Sequence, residues 1–255
     1  YFKNKHTKFA INDKCMNRIL FILLILLGPN VFSQKGRTYT KLQDIAAHPG
    51  NVYAIDLSQQ KLTQFPKIIL KCKNLEDLNL NDNELTVIPD EIYKLKNLTE
   101  LWVANNHLKE IPSGIVQLVN MHKLVLSYNS IESLPADLYK LNKLAELLAN
   151  NNKLKSLPTN ISKMESLKYL YLNKNEISKL PEELFRLNSL FYLDLNRNKI
   201  NTFPELTVPN NTLGVLYLTS NNIQQLPESI AKLQELTELY IMNTKISTLP
   251  ESLLK

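Results

Sequence analysis

Glycine, cysteine and tryptophan are scarce in this chain of 255 residues, which contains five, two and one of them respectively. The few glycines form no phosphate-cradling loop of the kind that nucleotide-binding enzymes use. Two cysteines, Cys15 and Cys72, cannot form a disulfide framework, and we expect Cys72 to fill space in the core. No metal-ligand spacing and no nucleophile with an adjacent base stands out. The sequence therefore predicts a protein that is not an enzyme and has no catalytic residues, no cofactor and no metal site.

Most of the chain also lacks a surplus of positive charge. The formal net charge is +6, but residues 1–33 hold five basic residues and one acidic residue, which leaves 25 basic and 23 acidic residues in the remainder. The lysines of that remainder fall mostly on the predicted outer turns and form no stripe that would follow a phosphate backbone. The sequence therefore predicts no nucleic-acid partner.

Long hydrophobic runs are limited to residues 19–27. This run is shorter than the ~20 residues of a membrane span, it follows a positively charged start at Met16, and a small residue, Ser33, precedes Gln34. We therefore predict a signal peptide over residues 16–33, cleaved near Ser33 and Gln34, and no stable membrane span. The expected location is secreted, periplasmic or cell-surface, the alternatives being a short signal anchor or a cytoplasmic protein.

What the sequence does contain is a unit of 23 residues that repeats nine times without a slip. Each unit reads close to L-x-x-L-x-L-x-x-N-x-L-x-x-L-P-x-x-I-x-x-L-x-x. A fixed period of this length indicates a solenoid, in which each unit buries its apolar face only by stacking on its neighbours. The units begin at Val52, Leu75, Leu98, Met121, Leu144, Leu167, Leu190, Leu213 and Leu236.

Each part of the unit favours a different local structure. The alternation that ends at the sixth position predicts a short strand, and proline, which cannot donate a backbone hydrogen bond, ends it. The Ile-x-x-Leu spacing that follows predicts one helical or 3₁₀ turn. In the seventh unit, Pro209 and two asparagines predict an irregular segment in place of that turn.

These units resemble the leucine-rich repeat family, in its class of 23-residue repeats with Leu-Pro. They are similar to those of bacterial secreted repeat proteins and of Ras-group-related repeat scaffolds. The resemblance covers residues 52–255. It implies an α/β solenoid, an arc with a parallel β-sheet on the concave face and short helical or 3₁₀ turns on the convex face.

The organisation outside the repeats is predicted as follows. Residues 1–15 contain no methionine, so we interpret them as upstream read-through or a disordered segment. Residues 34–51 are predicted to form an N-terminal capping segment with a short helix, in which Thr40 and Gln43 have the spacing of a capping box. Residues 52–255 form the nine repeats. The last repeat stops twenty residues into its period, so either the chain is truncated there or further repeats and another domain follow it.

The ninth position of the unit is asparagine in seven consecutive repeats. At a buried position the amide must find hydrogen-bond partners. We predict a structural ladder in which each amide bonds backbone groups of its own turn and of the next unit. Gln60 and Thr244 replace asparagine in the two end units. The ladder residues are Asn83, Asn106, Asn129, Asn152, Asn175, Asn198 and Asn221.

The third and fifth positions of the unit are predicted to face the concave surface. A row of exposed apolar side chains is expected there, flanked by tyrosines and interrupted at Asp194, while the N-terminal end is acidic. Exposed aromatic side chains are where binding energy concentrates, although β-propensity also enriches them in strands. The predicted ligand-binding residues are Trp102, Val125, Leu148, Tyr169, Tyr171, Tyr192, Tyr217 and Tyr240.

These patterns together predict an exported, non-catalytic module that binds a protein partner, of unknown identity, on its concave face. A carbohydrate ligand is the alternative use of the same aromatic side chains. One alternative function is a recognition arm of an enzyme whose catalytic domain lies beyond the C-terminus. The other is an intracellular signalling scaffold of the Ras-group type, which requires that residues 16–34 are not a signal.

Overall fold

The computed structural model describes residues 37–253, and the predictions made for residues 1–33 lie outside this range. The described chain forms one open parallel sheet of ten strands in chain order, and each of β2 to β10 occupies the third to fifth positions of its repeat. The fold class inferred from the repeats is confirmed. The strands are β1 (Thr38–Tyr39), β2 (Ala54–Asp56), β3 (Asp77–Asn79), β4 (Glu100–Trp102), β5 (Lys123–Val125), β6 (Glu146–Leu148), β7 (Tyr169–Tyr171), β8 (Tyr192–Asp194), β9 (Val215–Tyr217) and β10 (Glu238–Tyr240).

Strand pairing follows the period of the sequence without a shift. From β2 onwards, every residue lies beside the residue 23 positions later, as Leu78 lies beside Leu101. A shift of one residue would turn each strand's apolar side chains to the other face. The equal length of the repeats therefore keeps one side of the sheet apolar throughout.

The core lies on that side and is built from the first, fourth and sixth positions. In the sixth repeat these are Leu167, Leu170 and Leu172, and none of them is exposed. Cys72 belongs to the same core, where burial raises the pKa of its thiol to about 11. The thiol is therefore neutral and packs as an apolar group, as its sequence context predicts.

The convex side carries short 3₁₀ helices. In the second repeat, the proline of the Leu-Pro pair, Pro89, directly precedes the 3₁₀ helix. Its carbonyl accepts the first hydrogen bond of that helix, from the Ile92 N–H at 3.0 Å. Each of the 3₁₀ helices is three to five residues long. These helices are Pro49–Asn51, Lys67–Lys71, Asp90–Lys94, Ser113–Gln117, Leu138–Lys140, Thr159–Lys163, Glu182–Arg186, Glu228–Lys232 and Glu251–Leu253.

The seventh repeat has no such helix between β8 and β9, so the irregular segment predicted at Pro209 is confirmed. Side chains replace the missing turn. The Asn210 side chain is 3% exposed, and its amide donates to the carbonyls of Phe185 at 2.9 Å and Leu187 at 3.1 Å. Lys232 Nζ donates to two carbonyls of the irregular segment at 2.8 and 2.9 Å.

The capping segment contains the expected short helix, Leu42–Ala47, with Ile45 fully buried. The predicted capping box is wrong. The helix begins one residue later, with Lys41 as its N-cap and no side-chain cap bond, and the Thr40 carbonyl instead accepts a bond from Gln60 Nε2 at 2.8 Å. Strand β1, which no repeat pattern predicts, extends the sheet by pairing with β2.

The residue before each ladder position adopts a left-handed backbone conformation, with φ between 51° and 59°. None of these residues is glycine, although this region is unfavourable for most side chains. The sequence gives no glycine to mark the turn, so the conformation was not predicted. The residues are Gln59, Asp82, Asn105, Tyr128, Asn151, Lys174, Arg197, Ser220 and Asn243.

Candidate ligand-binding face

The asparagine ladder lies at the edge of the core, directly after the strands. Asn152 is 8% exposed; its Nδ2 donates to the carbonyls of Leu126 at 3.0 Å and Ala149 at 3.1 Å, and its Oδ1 accepts from the Ile131 N–H at 3.0 Å. Leu126 and Ile131 belong to the preceding repeat. The predicted direction, towards the next unit, is therefore wrong, because the carbonyl and N–H groups that need partners lie in the repeat before.

The same arrangement recurs along the ladder. Asn83, Asn106, Asn129, Asn175, Asn198 and Asn221 each donate to a carbonyl of the preceding repeat at 2.9 to 3.0 Å. Asn129 is half-buried, whereas the others are buried. At the C-terminal end, Thr244 Oγ1 donates to the Ile241 carbonyl at 2.8 Å, which is the bond that an asparagine makes within its own turn.

The side chains at the third and fifth positions lie on the opposite face of the sheet, as the alternation predicts. Their expected exposure is wrong for four residues. Val125, Leu148, Tyr171 and Tyr192 are 4%, 8%, 9% and 7% exposed. Neighbouring strands are only about 4.8 Å apart, so equivalent side chains of successive repeats contact and cover one another.

Aromatic side chains remain accessible at both ends of this covered stretch and, at Tyr169, within it. The rings of Trp102 in β4, Tyr169 in β7, Tyr217 in β9 and Tyr240 in β10 are half-buried. The face therefore presents half-buried aromatic side chains beside a covered stretch of aliphatic and tyrosine side chains, instead of a continuous exposed apolar row.

Four tyrosine rings contact one another in succession over strands β7 to β10, and we call them the tyrosine cluster: Tyr171, Tyr192, Tyr217 and Tyr240. Successive ring centroids are 4.9, 5.5 and 4.3 Å apart, and the last two rings are parallel within 2°. These distances are typical of favourable aromatic pairs. Burial raises the pKa of Tyr171, Tyr192 and Tyr240, so their hydroxyls are neutral and act as hydrogen-bonding groups.

Asp194 lies within the tyrosine cluster. In the sheet its neighbours are Tyr171 on one side and Tyr217 on the other. Its Oδ1 accepts a bond from the Asn196 N–H at 2.9 Å, and burial raises the pKa of the carboxyl group from 3.8 to about 6 against that bond. Part of the Asp194 population is therefore protonated near pH 6.

Three repeats before Asp194, the ammonium group of Lys123 is held on the same face. Lys123 Nζ lies 4.6 Å from the centroid of the Trp102 ring and 2.8 Å from Glu146 Oε2, and its side chain is 14% exposed. Trp102 Nε1 donates to Glu100 Oε2 at 3.0 Å. Sequence reasoning missed this contact, although the 23-residue spacing of Lys123 and Glu146 placed them side by side.

The charge of the concave columns is unbalanced. The third and fifth positions carry one basic residue, Lys123, and its charge is paired with Glu146. The acidic residues at these positions are Asp56, Asp77, Glu100, Glu146, Asp194 and Glu238. The lysines predicted on the convex side, such as Lys94 and Lys140, lie in the 3₁₀ helices and are exposed.

Among residues 37–253, no group of three histidine, cysteine, aspartate or glutamate side chains is arranged to hold a metal ion. None of the helices in that range combines the length and the apolar character needed to cross a bilayer.

The geometry and the sequence agree with a known family. The leucine rich repeat family matches residues 50–108, 96–154 and 143–200. The chain belongs to the leucine-rich repeat family. Proteins of this family are typically modules that interact with other proteins, and the chain is such a repeat module. A comparison with curated proteins gives no match.

Solved leucine-rich repeat structures have a similar fold. The plant peptide hormone receptor RGFR1, in complex with RGF2, is 26% identical over 76% of this chain and 31% of its own, with a TM-score of 0.66. An internalin (inlF) from Listeria monocytogenes is 19% identical over 82% of this chain and 60% of its own, with a TM-score of 0.69, which shows the fold alone.

A third similar structure is the ectodomain of the receptor kinase GASSHO1/SCHENGEN3 from Arabidopsis thaliana, in complex with CASPARIAN STRIP INTEGRITY FACTOR 2. It is 26% identical over 79% of this chain and 28% of its own, with a TM-score of 0.61. The chain therefore spans less than two thirds of the length of each of these three proteins.

Proposed function

We propose that this leucine-rich repeat chain is a non-catalytic recognition module that binds a protein partner on the concave face of its sheet. The observation that carries the proposal is the set of half-buried aromatic side chains on that face, Trp102 at one end and Tyr217 and Tyr240 at the other. Large, rigid rings with few torsions provide contact area at low entropic cost, which is why Trp and Tyr dominate binding hot spots.

Packing of the leucine core does not explain these rings. The core beneath the sheet is filled by leucines of the fourth position, such as Leu101 and Leu216, which are fully buried. Trp102 and Tyr217 lie on the other side of the strands and add nothing to that core. Two similar repeat proteins, RGFR1 and GASSHO1/SCHENGEN3, were solved in complex with a ligand, which supports a ligand-binding role.

The proposal includes export. Its support is the sequence alone, namely the positively charged start at Met16, the apolar run 19–27 and the small residue Ser33. N-terminal sequencing of the native protein tests this part. A mature start near Gln34 supports export, and a mature chain that retains residues 16–33 contradicts it.

The binding face is tested by comparing variants of its two sides. Ligands are selected from a random peptide library with the full chain. Their affinities are then measured for Trp102→Ala and Tyr217→Ala on the concave face, and for Lys94→Ala and Lys140→Ala on the convex face. A hot-spot residue contributes about 2 kcal/mol, so we expect a loss of about 30-fold for at least one concave variant.

The convex variants are expected to change affinity by less than about twofold, since exposed lysines at a rim contribute little. Melting temperatures of all four variants separate lost binding from lost folding. If the convex variants reduce affinity and the concave variants do not, the assigned surface is wrong. Retention of glycans, with loss in the same concave variants, would identify a carbohydrate ligand instead of a protein.

A further inference from the structure

The contact of Lys123 shows how this face holds a positive charge. The ammonium group lies against the Trp102 ring and at 2.8 Å from Glu146 Oε2, largely removed from solvent. An aromatic face attracts a cation, and a carboxylate adds a charge-assisted hydrogen bond. The protein's own side chain thus demonstrates a cation site made of one ring and one carboxylate on the concave sheet.

Asp194 also combines a carboxylate with neighbouring aromatic rings, but no cation within residues 37–253 is paired with it. Its strand neighbours are Tyr171 and Tyr217, and the Tyr192 ring packs against both of them. In the fifth to ninth repeats, the third and fifth positions contain no lysine or arginine. The hydrogen bond from the Asn196 N–H, at 2.9 Å, is the interaction that stabilises its charge.

Such a carboxylate destabilises the folded protein at neutral pH, because burial removes its hydration and no cation compensates. A repeat does not require it, since the same position holds Asn79 in β3, Val125 in β5 and Leu148 in β6. A charged group that costs stability and is not required by the fold is a candidate for binding.

We infer that the partner places a lysine or arginine side chain, carried on an extended peptide segment, against the tyrosine cluster at Asp194. This inference rests on the proposed concave-face function. The excess of acidic over basic side chains in the concave columns favours a cationic segment over an acidic one. The face is open and offers one central carboxylate. Such a site favours a basic side chain that the neighbouring residues of a peptide hold in place over a free small amine.

The dimensions of the sheet set the length of the segment. Trp102 in β4 and Tyr217 in β9 are separated by five strand intervals of about 4.8 Å, or about 24 Å. An extended peptide advances about 3.3 Å per residue, so about seven residues cover both aromatic ends. The basic side chain is then expected one or two residues from the end of the segment that lies on the tyrosine cluster.

The chain provides a conservative variant and a matched control. In the equivalent turn of the second repeat, Asn79 Oδ1 accepts a hydrogen bond from the Asn81 N–H at 3.0 Å. An asparagine can therefore make the bond that Asp194 makes, and Asp194→Asn is expected to keep the local fold. Asp56 makes the equivalent bond to the Ser58 N–H at 3.0 Å, and its neighbour in the sheet is Asn79 instead of a tyrosine. Asp56→Asn therefore removes an equivalent charge without removing the proposed site.

Random heptapeptides are selected by binding to the full chain, and those retained are sequenced. Affinities are then measured for individual peptides whose N- and C-termini are blocked. We expect enrichment of lysine or arginine at one position. Asp194→Asn should weaken the basic peptides at least tenfold, and Asp56→Asn less than twofold. Tyr217→Leu, which keeps an apolar side chain but removes the ring, should weaken them as well, with folding checked by circular dichroism.

The failures of the two proposals are distinguishable. Retained peptides that lack basic enrichment, and that lose affinity in Trp102→Ala but not in Asp194→Asn, overturn the cation site and leave concave-face binding intact. Peptides that lose affinity only in Lys94→Ala or Lys140→Ala overturn both proposals. Failure to retain any peptide with lysine or arginine also overturns the cation site.

Discussion

Two sets of positions in the same repeat behave in opposite ways. The ladder position is asparagine in seven successive repeats, whereas the fifth position changes between aspartate, asparagine, tryptophan, valine, leucine and tyrosine. The ladder amides satisfy backbone groups that each of these seven repeats finds in its own turn and in the repeat before it, so all seven need the same side chain. The concave side chains satisfy no such common requirement. Within one chain, repetition therefore marks what stacking demands, and variation marks where a surface is free to recognise something.

The largest expected difference between these sets is in stability. Asn152→Ala leaves the buried Ile131 N–H without its acceptor. It also removes one of the two asparagine donors from the carbonyls of Leu126 and Ala149, which keep their bonds from Asn129 and Asn175. We expect a loss of about 1–3 kcal/mol in the free energy of unfolding. Asn120→Ala is the control, because Asn120 Nδ2 also donates to a carbonyl of the preceding repeat but is exposed. Its expected loss is below about 0.5 kcal/mol. Equal losses in urea denaturation would refute the structural role of the ladder.

Replacing Asp194 on the concave face is expected to increase stability. The pKa of Asp194 is raised from 3.8 to about 6 in the folded protein, so folding favours its protonated form. The associated stabilisation is complete below pH 3.8 and is lost as the pH rises through 6. Asp194→Asn should therefore increase stability at pH 7 by about 1–2 kcal/mol, a value reduced for the partial exposure of the carboxyl group.

That gain should disappear as the pH falls towards 4, which denaturation curves at several pH values can measure. Asp56→Asn, at the same position of the first repeat, should show no gain of this size. A gain for Asp194→Asn that is the same at pH 4 and pH 7 would mean that burial of its charge is not the cause. If Asp194→Asn is more stable but binds basic peptides less well, the stability cost of the buried charge is connected to recognition.

The smallest effect is expected at the position just before the ladder. Lys174 and Asn151 both have a left-handed backbone, with φ of 55° and 53°. Asparagine tolerates this conformation better than lysine, so Lys174→Asn should stabilise the protein by about 0.5 kcal/mol, and Asn151→Lys should destabilise it by a similar amount. Changes of the same sign in both variants would show that another property of these side chains dominates.

The regular parts of the fold were predictable because one period controls them. The strands, the Leu-Pro turns and the asparagine column each follow from residues that recur at a fixed position. Strand β1 and the Lys41 N-cap were not predictable in this way, because they lie outside the repeats. The left-handed turns were missed because no glycine marks them.

The concave face was predictable in position but not in exposure. Alternation along the strand placed Val125 and Leu148 on that face, but the size of the side chains in the neighbouring repeats decides how much solvent reaches them. The site of Lys123 depends on the same cross-strand relation, which appears only when the columns are compared between successive repeats. A single repeat, taken alone, contains no information about either.

The backward direction of the asparagine ladder has a consequence for synthesis on the ribosome. The N–H of Leu62 is bonded by Asn83, which is translated 21 residues later. The hydrogen bonds of each repeat are therefore completed only after the following asparagine has emerged, so the growing chain always ends in one unfinished turn. During synthesis, each new repeat therefore closes the one made before it.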